Sequence, residues 1–252
     1  MARLLQHLVE SPRECSYLAD RQASLEYQVL LDVTAEELEV MITRGWRRFG
    51  PQYFRPACGP CSECVPTRVP TSSFAASKSQ RRARRACASL RVVLGPPRVD
   101  ADRLALYHRW HAAREEARDW EPSPLDARAY FTQFAFPHPA ARELAYYEGQ
   151  GEDARLVGVG ICDETPGAWS AVYFFYEPEW ANRSIGVANV IFQIELARRR
   201  GIPHVYLGYR ISECPSMRYK TRFLPQERLV GWPDPEEEPR WVLVEPPAQE
   251  QA

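Results

Sequence analysis

The order of elements is decided by residues 144–209, where "LAYYEG" (144–149), "ARLVGVGICDE" (154–164) and "WSAVYFFYEP" (169–178) follow one another. Each run is rich in β-branched and aromatic residues, and turn signals at Gly149–Asp153 and Thr165-Pro166-Gly167 separate them. The pattern predicts an antiparallel meander. "SIGVANVIFQIELARRRG" (184–201) predicts a helix, with Ser184 as N-cap, Gly201 as the stop, and an apolar stripe at Val187, Val190, Ile191 and Ile194. "HVYLGY" (204–209) is a further strand.

Three antiparallel strands, a helix and another strand beside the meander resemble the core of GNAT-type acyltransferases. "RSIGVA" also fits their loose R-x-x-G-x-A signal at Arg183, Gly186 and Ala188, where free helix N–H groups can receive a phosphate. Helix packing explains Gly186 and Ala188 equally well. Ser184, at the helix head, is a substrate-binding candidate.

Upstream, "DVTAEELEVMITRGW" (32–46) predicts a helix starting at Asp32 or Thr34 and closed by Gly45. "WRRFGPQYFRP" (46–56) reads as strand, turn, strand, and Ser77 to Arg91 as a basic helix. A helix over Leu104–Trp120 and a short one from Leu125 to about Phe134 come next, on either side of a loop holding Pro122 and Pro124. The expected fold class is α+β: an N-terminal Cys-containing α/β domain over 1–100, a GNAT-like acyltransferase domain over 101–232, and an acidic, Pro-rich, partly disordered tail over 233–252.

The net charge of −1 conceals a polarity. Between Met41 and Arg91 stand eleven basic residues and one acid, Glu63. Such density suits a nucleic-acid backbone, and the aromatics of "RGWRRFGPQYFR" add stacking surfaces; a solvated helix face is the plainer reading of "SKSQRRARRA" alone. Arg47, Arg48, Lys78, Arg81, Arg82, Arg84 and Arg85 are the candidates to meet RNA. No run approaches the roughly 18 apolar residues of a membrane span, and nothing resembles a signal peptide, so a soluble cytoplasmic protein without a membrane partner is expected.

Seven cysteines in such a chain point to metal or redox chemistry. Cys58-Gly-Pro-Cys61-Ser-Glu-Cys64 has the C-x-x-C spacing that turns thiolates toward one ion. Zinc or an iron–sulfur cluster needs a fourth ligand. A metal-free, redox-sensitive thiol cluster is the alternative. Cys87 and Cys162 read as buried small apolar residues.

A second rich stretch is "YLGYRISECPSMRYKTRFLP" (206–225), a strand followed by a Pro-marked loop crowded with charge. Together, "CSYL" (15–18), "GWRRFG…YFRPACGPCSECVPTRV" (45–69), "SKSQRR" (77–82), "YFFYEPE" (173–179), "SIG" and this loop resemble the aminoacyl-tRNA–protein transferases of the N-degron pathway. The likeness is greatest to their bacterial aspartate/glutamate leucyltransferase branch, over about Cys15 to Val230.

The resemblance implies transfer of leucine from leucyl-tRNA to the α-amino group of proteins beginning with Asp or Glu, with no nucleotide cofactor. It pairs Cys15 with Cys58, Cys61 and Cys64 as the ligand set, Cys214 being a weaker candidate. The arginyl branch differs: it has a C-x-x-C near the N-terminus, whereas Leu18 stands at its second position here.

Amine attack on an activated ester needs positioning and help for the oxyanion, with only a modest base. Glu177 is the first choice as base or amine anchor, and Tyr176, Tyr209 and Tyr219 could orient or relay protons. Arg210, Arg218 and Lys220 are the nearest cations for the acceptor's acidic side chain. Alternatives are an arginyl-tRNA–protein transferase, an acetyl-CoA-dependent N-acetyltransferase, and a non-catalytic zinc-containing RNA-binding module.

Overall fold

The computed structural model describes residues 1–118, 122 and 125–246. Among these, the first part holds β1 (Arg3–Val9), β2 (Arg13–Glu14), β3 (Gln22–Ala23), β4 (Leu25–Leu31), α1 (Ala35–Thr43), β5 (Arg47–Phe49), β6 (Gln52–Pro56) and β7 (Val65–Pro70). The chain goes on through α2 (Lys78–Ala86), β8 (Arg91–Gly95), α3 (Ala101–Arg118), and α4 (Ala127–Tyr130) with a π-helical turn at Phe131–Ala135. Then come β9 (Ala141–Glu148), β10 (Arg155–Glu164), β11 (Ala168–Tyr176) and α5 (Ile185–Arg199). β12 (His204–Arg210), α6 (Pro215–Arg218), β13 (Gln226–Leu229) and β14 (Trp241–Val244) complete it.

The class is mixed α and β. The meander forms as expected: β10 lies antiparallel between β9 and β11, with Val159 opposite Ala145 and Phe175. These strands sit in an eight-stranded sheet ordered β14-β13-β7-β12-β11-β10-β9-β8. Both faces are covered, which is why β10 is buried almost without interruption. On one face α5 packs Ile185, Ala188, Ile191 and Ile194 against Leu144, Tyr146, Val157 and Trp169. On the other, α3 places Leu106 and Tyr107 with Ala145, Val159, Ile161 and Phe175. Alternate residues of β9 thus feed opposite cores.

A smaller sheet, β1-β4-β6-β5, covers one end with α1; Leu38, Ile42, Trp46 and Tyr53 pack there against Ala168 and Tyr206. The large sheet runs across the expected division at residue 100, since β7 and β8 both belong to it and α2 rests on α5. Among the described residues no helix is long and apolar enough to cross a membrane.

Local signals place most helix starts. Thr34 and Ser77 each form a capping box, with Glu37 and Gln80 respectively. The basic helix stops at Ala86 rather than Arg91, because Arg91–Gly95 pairs with β9 as an edge strand. Ser184 stands at the head of α5 in a left-handed conformation (φ 56°) and its side chain makes no capping bond, contrary to expectation. The expected ends at Trp120 and Pro124, and the last six residues of the tail, fall outside the described residues.

Candidate active site

β11 and β12 run parallel, but they pair only at Ala168–His204, Trp169–Val205 and Ser170–Tyr206. Past that point β11 stays with β10 as far as Tyr176, while β12 stays with β7 as far as Arg210. A fork opens between the two strands. The head of α5 and the 211–222 loop follow the ends of its arms.

The base of the fork is closed by Arg47, which reaches in from β5. Its Nη1 donates to Ser170 Oγ at 2.8 Å and its Nη2 to the Ala171 carbonyl. Gly208 faces the guanidinium at φ 76°, and a Cβ there would stand 3.4 Å from Arg47 Cζ. Arg48 turns to the interior instead, pairing with Asp163 and donating to the Gly50 carbonyl at 3.0 Å. Neither arginine lies on an outer RNA-facing surface, which corrects the expectation for both. Arg47 lines the base of the fork, and Arg48 is only 7% exposed.

Lys220 folds back from the loop, and its Nζ donates to the Tyr209 carbonyl at 2.8 Å. It is buried, and that burial, reinforced by Arg47, pushes its amine down to about 7; the Cys64 and Cys214 thiols act weakly the other way. Tyr219 stays 38% exposed. Desolvation raises its phenol, Arg47 draws it down, and the Tyr176 phenol adds to the rise. Arg218 is exposed, without an ion pair among the described residues. Arg210 donates to Ser212 Oγ, and its Nε is buried without a partner.

Two catalytic candidates are already engaged. Glu177 is buried beneath the end of β11 and gripped by Arg109 of α3, with Nη2 at 2.6 Å and Nε at 3.1 Å from Oε1. A carboxylate held this way is a positioned anchor rather than a free proton acceptor. The Tyr209 hydroxyl donates to the Gly45 carbonyl at 2.9 Å, with the Phe54 carbonyl at 3.2 Å, and so ties β12 to the small sheet. Burial raises its phenol far from neutrality. Tyr209→Phe should therefore cost about 1 kcal/mol of stability and leave transfer within a few-fold of wild type. A rate loss far beyond that at unchanged stability would return Tyr209 to the chemistry.

Tyr176 stacks on Phe174 and accepts from Arg114 Nη2 at 3.2 Å. Arg109 and Arg114 were missed from sequence, since nothing near them marks partners 68 and 62 residues away. Ser184 is exposed at the head of α5, and a Cβ on Gly186 would meet nothing within 4 Å, so helix packing does not require that glycine. Ala188 is fully buried, as packing demands.

On α2, Lys78, Arg81, Arg82 and Arg85 face outward. Arg84 turns back to pair with Glu195 and lies 4.0 Å over Phe192. The expected basic surface therefore rests on four of the five cations named there.

Cys15 lies on the β2–β3 hairpin, its N–H donating to the Arg21 carbonyl at 2.9 Å, and in the 57–64 loop Cys58 Sγ donates to the Ser24 carbonyl at 3.4 Å. Burial pushes the Cys64 thiol up to about 12, with Cys58, Cys15 and Cys61 adding to the rise. The four thiols are thus neighbours. Yet among the described residues no three His, Cys, Asp or Glu side chains stand as a metal-holding group.

Two family models match this chain: "Arginine-tRNA-protein transferase, N terminus" over residues 13–82 and "Arginine-tRNA-protein transferase, C terminus" over residues 102–230. It is 31% identical to the aspartate/glutamate leucyltransferase of Helicobacter hepaticus, over 91% of this chain and 94% of that protein. It is 36% identical to that of Pseudoalteromonas atlantica, over 91% and 94% of the two chains. For that of Marinobacter nauticus the values are 37%, 90% and 94%. The crystal structure of FemX aligns with a TM-score of 0.49 at 7% identity, covering 86% of this chain and 85% of that one, a likeness too slight to argue from. The two family matches take in β4, β5 and β6 of the small sheet and the whole fork, and the chain belongs to the arginine-tRNA-protein transferase family, as an aminoacyltransferase.

Proposed function

We propose that the chain transfers leucine from leucyl-tRNA to the α-amino group of proteins that begin with Asp or Glu, creating an N-degron in the cytoplasm. The observation that carries this is the end-to-end likeness to aspartate/glutamate leucyltransferases, which takes in α2, the fork and the 211–222 loop alike. The meander, helix and parallel strand around the fork support a GNAT-like use of the sheet, with an aminoacyl ester in place of an acyl thioester.

The ester of leucyl-tRNA is already activated, so no nucleotide is consumed. An N-terminal amine, with an ordinary pKa of about 7.7–8.0, is partly unprotonated near neutrality. Its nitrogen adds to the ester carbonyl, and the C–N bond forms. The C–O bond to the ribose then breaks; the amine loses a proton and the ribose oxygen gains one. Tyr219 and Tyr176 would pass that proton. Arg210, Arg218 and Lys220 supply positive charge for the acceptor's side chain, and Ser184 lies at the head of α5 where the donor would enter.

The outward cations of α2 would meet the tRNA. Changing Arg81, Arg82 and Arg85 together to alanine should raise the KM for leucyl-tRNA. It should also flatten the log–log salt dependence by about 0.7–0.9 for each phosphate that is no longer neutralised. Saturating kcat should hold. An unchanged salt slope would remove α2 from the tRNA surface.

The overall reading is tested with labelled leucyl-tRNA and a peptide beginning with Asp, with arginyl-tRNA and labelled acetyl-CoA in parallel arms. Label on the peptide from leucyl-tRNA alone is expected. Arginine transfer without leucine transfer, or acetylation, would replace the proposal.

A further inference from the structure

We propose that Arg47, delivered from the small N-terminal sheet, is the specificity residue that reads the side-chain carboxylate of the acceptor's first residue, with Lys220 beside it. This rests on the leucyltransferase reading above and assigns one of its subsites.

Arg47 and Lys220 lack a counter-charge among the described residues. Four well-covered arginines meet carboxylates: Arg48 meets Asp163, Arg55 meets Glu26, Arg68 meets Glu227 and Arg103 meets Glu143. Arg47 and Lys220 do not. Arg47 has the Ser170 hydroxyl and the Ala171 carbonyl; Lys220 has the Tyr209 carbonyl. Neither has an ion pair among the described residues, and burial lowers the pKa of both, with Arg47 lowering that of Lys220 further. Two adjacent, half-buried or buried cations with only neutral partners are costly unless an anion joins them.

Position selects the anion. Arg47 sits where β11 and β12 part, against Gly208, and Lys220 folds back from the loop onto the carbonyl of the next residue, Tyr209. A guanidinium has five N–H donors, and among the described residues only two bonds from Arg47 are made, both to neutral oxygens. The rest can take a carboxylate through paired donors. The outward cations of α2 are the exposed ones suited to tRNA phosphates. The carboxylate of Asp or Glu belongs to the same residue as the amine that must reach the ester.

The test is Arg47→Gln, assayed for leucine transfer to peptides that differ only in a first residue of Asp, Glu, Asn or Gln. The preference in kcat/KM for Asp over Asn should fall roughly ten- to hundredfold, through the KM for the Asp peptide. KM for leucyl-tRNA and its salt slope should stay at wild-type values. An intact Asp-over-Asn preference overturns the proposal, as does a rise confined to the KM for leucyl-tRNA, which would make Arg47 a phosphate contact. Should Arg47→Gln not fold, Arg47→Lys keeps the cation without the paired donors. It should retain the acidic preference at a raised KM for Asp, and a wild-type KM would overturn the assignment. Wild-type protein that fails to transfer leucine to any of the peptides would sink the leucyltransferase reading itself, a separate failure.

Discussion

Replacing Lys220 by methionine should cut leucine transfer to an Asp-initiated peptide roughly ten- to hundredfold, mostly through KM, in a protein that still folds. The side chain is buried, its Nζ is 2.8 Å from the Tyr209 carbonyl, and no carboxylate neutralises it among the described residues. Methionine keeps the volume and removes the charge. The groups facing the amine are Arg47 from β5, the Cys64 and Cys214 thiols and the Tyr209 carbonyl, so the balance around it is positive.

The pH dependence separates function from fold. With its amine lowered to about 7, Lys220 costs the native state the full burial of a cation below pH 7, where folded and unfolded chains are both protonated. Between pH 7 and the ordinary lysine range the folded chain gives up this proton first, and the cost is relieved. Stability from this group therefore rises with pH in the wild type and is flat in Lys220→Met. Relative to wild type, the variant should gain roughly 2–3 kcal/mol more at pH 6 than at pH 9, read from urea midpoints. In the wild type, KM for an Asp peptide should climb above pH 7 as the amine loses its charge, and in Lys220→Met it should not. A variant with wild-type KM at pH 6.5 would remove Lys220 from acceptor binding.

Much of the architecture is legible in the sequence because its physics is local. The runs of 144–178 are apolar on both faces, and a strand covered on both sides has that composition. Capping boxes at Thr34 and Ser77 fix two helix starts within four residues of sequence. β1 lacked such a signal: "RLLQHLV" is exposed along its whole length, so no face pattern marks it. The site was legible as a list of residues and not as an arrangement. Arg47 and Arg48 adjoin other basics and aromatics, but their partners Ser170 and Asp163 lie 123 and 115 residues on. Counting charges cannot tell a cation facing RNA from one buried against a distant carboxylate. The partner of Glu177 is hidden for the same reason, since Arg109 is 68 residues away.

Arg48 offers the sharpest check on that distinction. Its side chain is 7% exposed and that of its partner Asp163 only 2%. Removing one member of a buried pair strands the other charge in a poorly solvating interior. Arg48→Ala should therefore cost about 3–5 kcal/mol, which for a chain of this length lowers Tm by roughly 6–20 °C. Exchanging both residues for apolar ones, as in Arg48→Met with Asp163→Leu, should recover most of that loss, because neither desolvation cost then remains. Per folded molecule, Arg48→Ala should show wild-type KM and salt slope for leucyl-tRNA, the reverse of the change expected on α2. A wild-type Tm together with a shallower salt slope would place Arg48 on the RNA-facing surface after all. The small sheet would then be a tRNA-binding element, when the geometry makes it the support that carries Arg47 into the fork and holds Arg48 against β10.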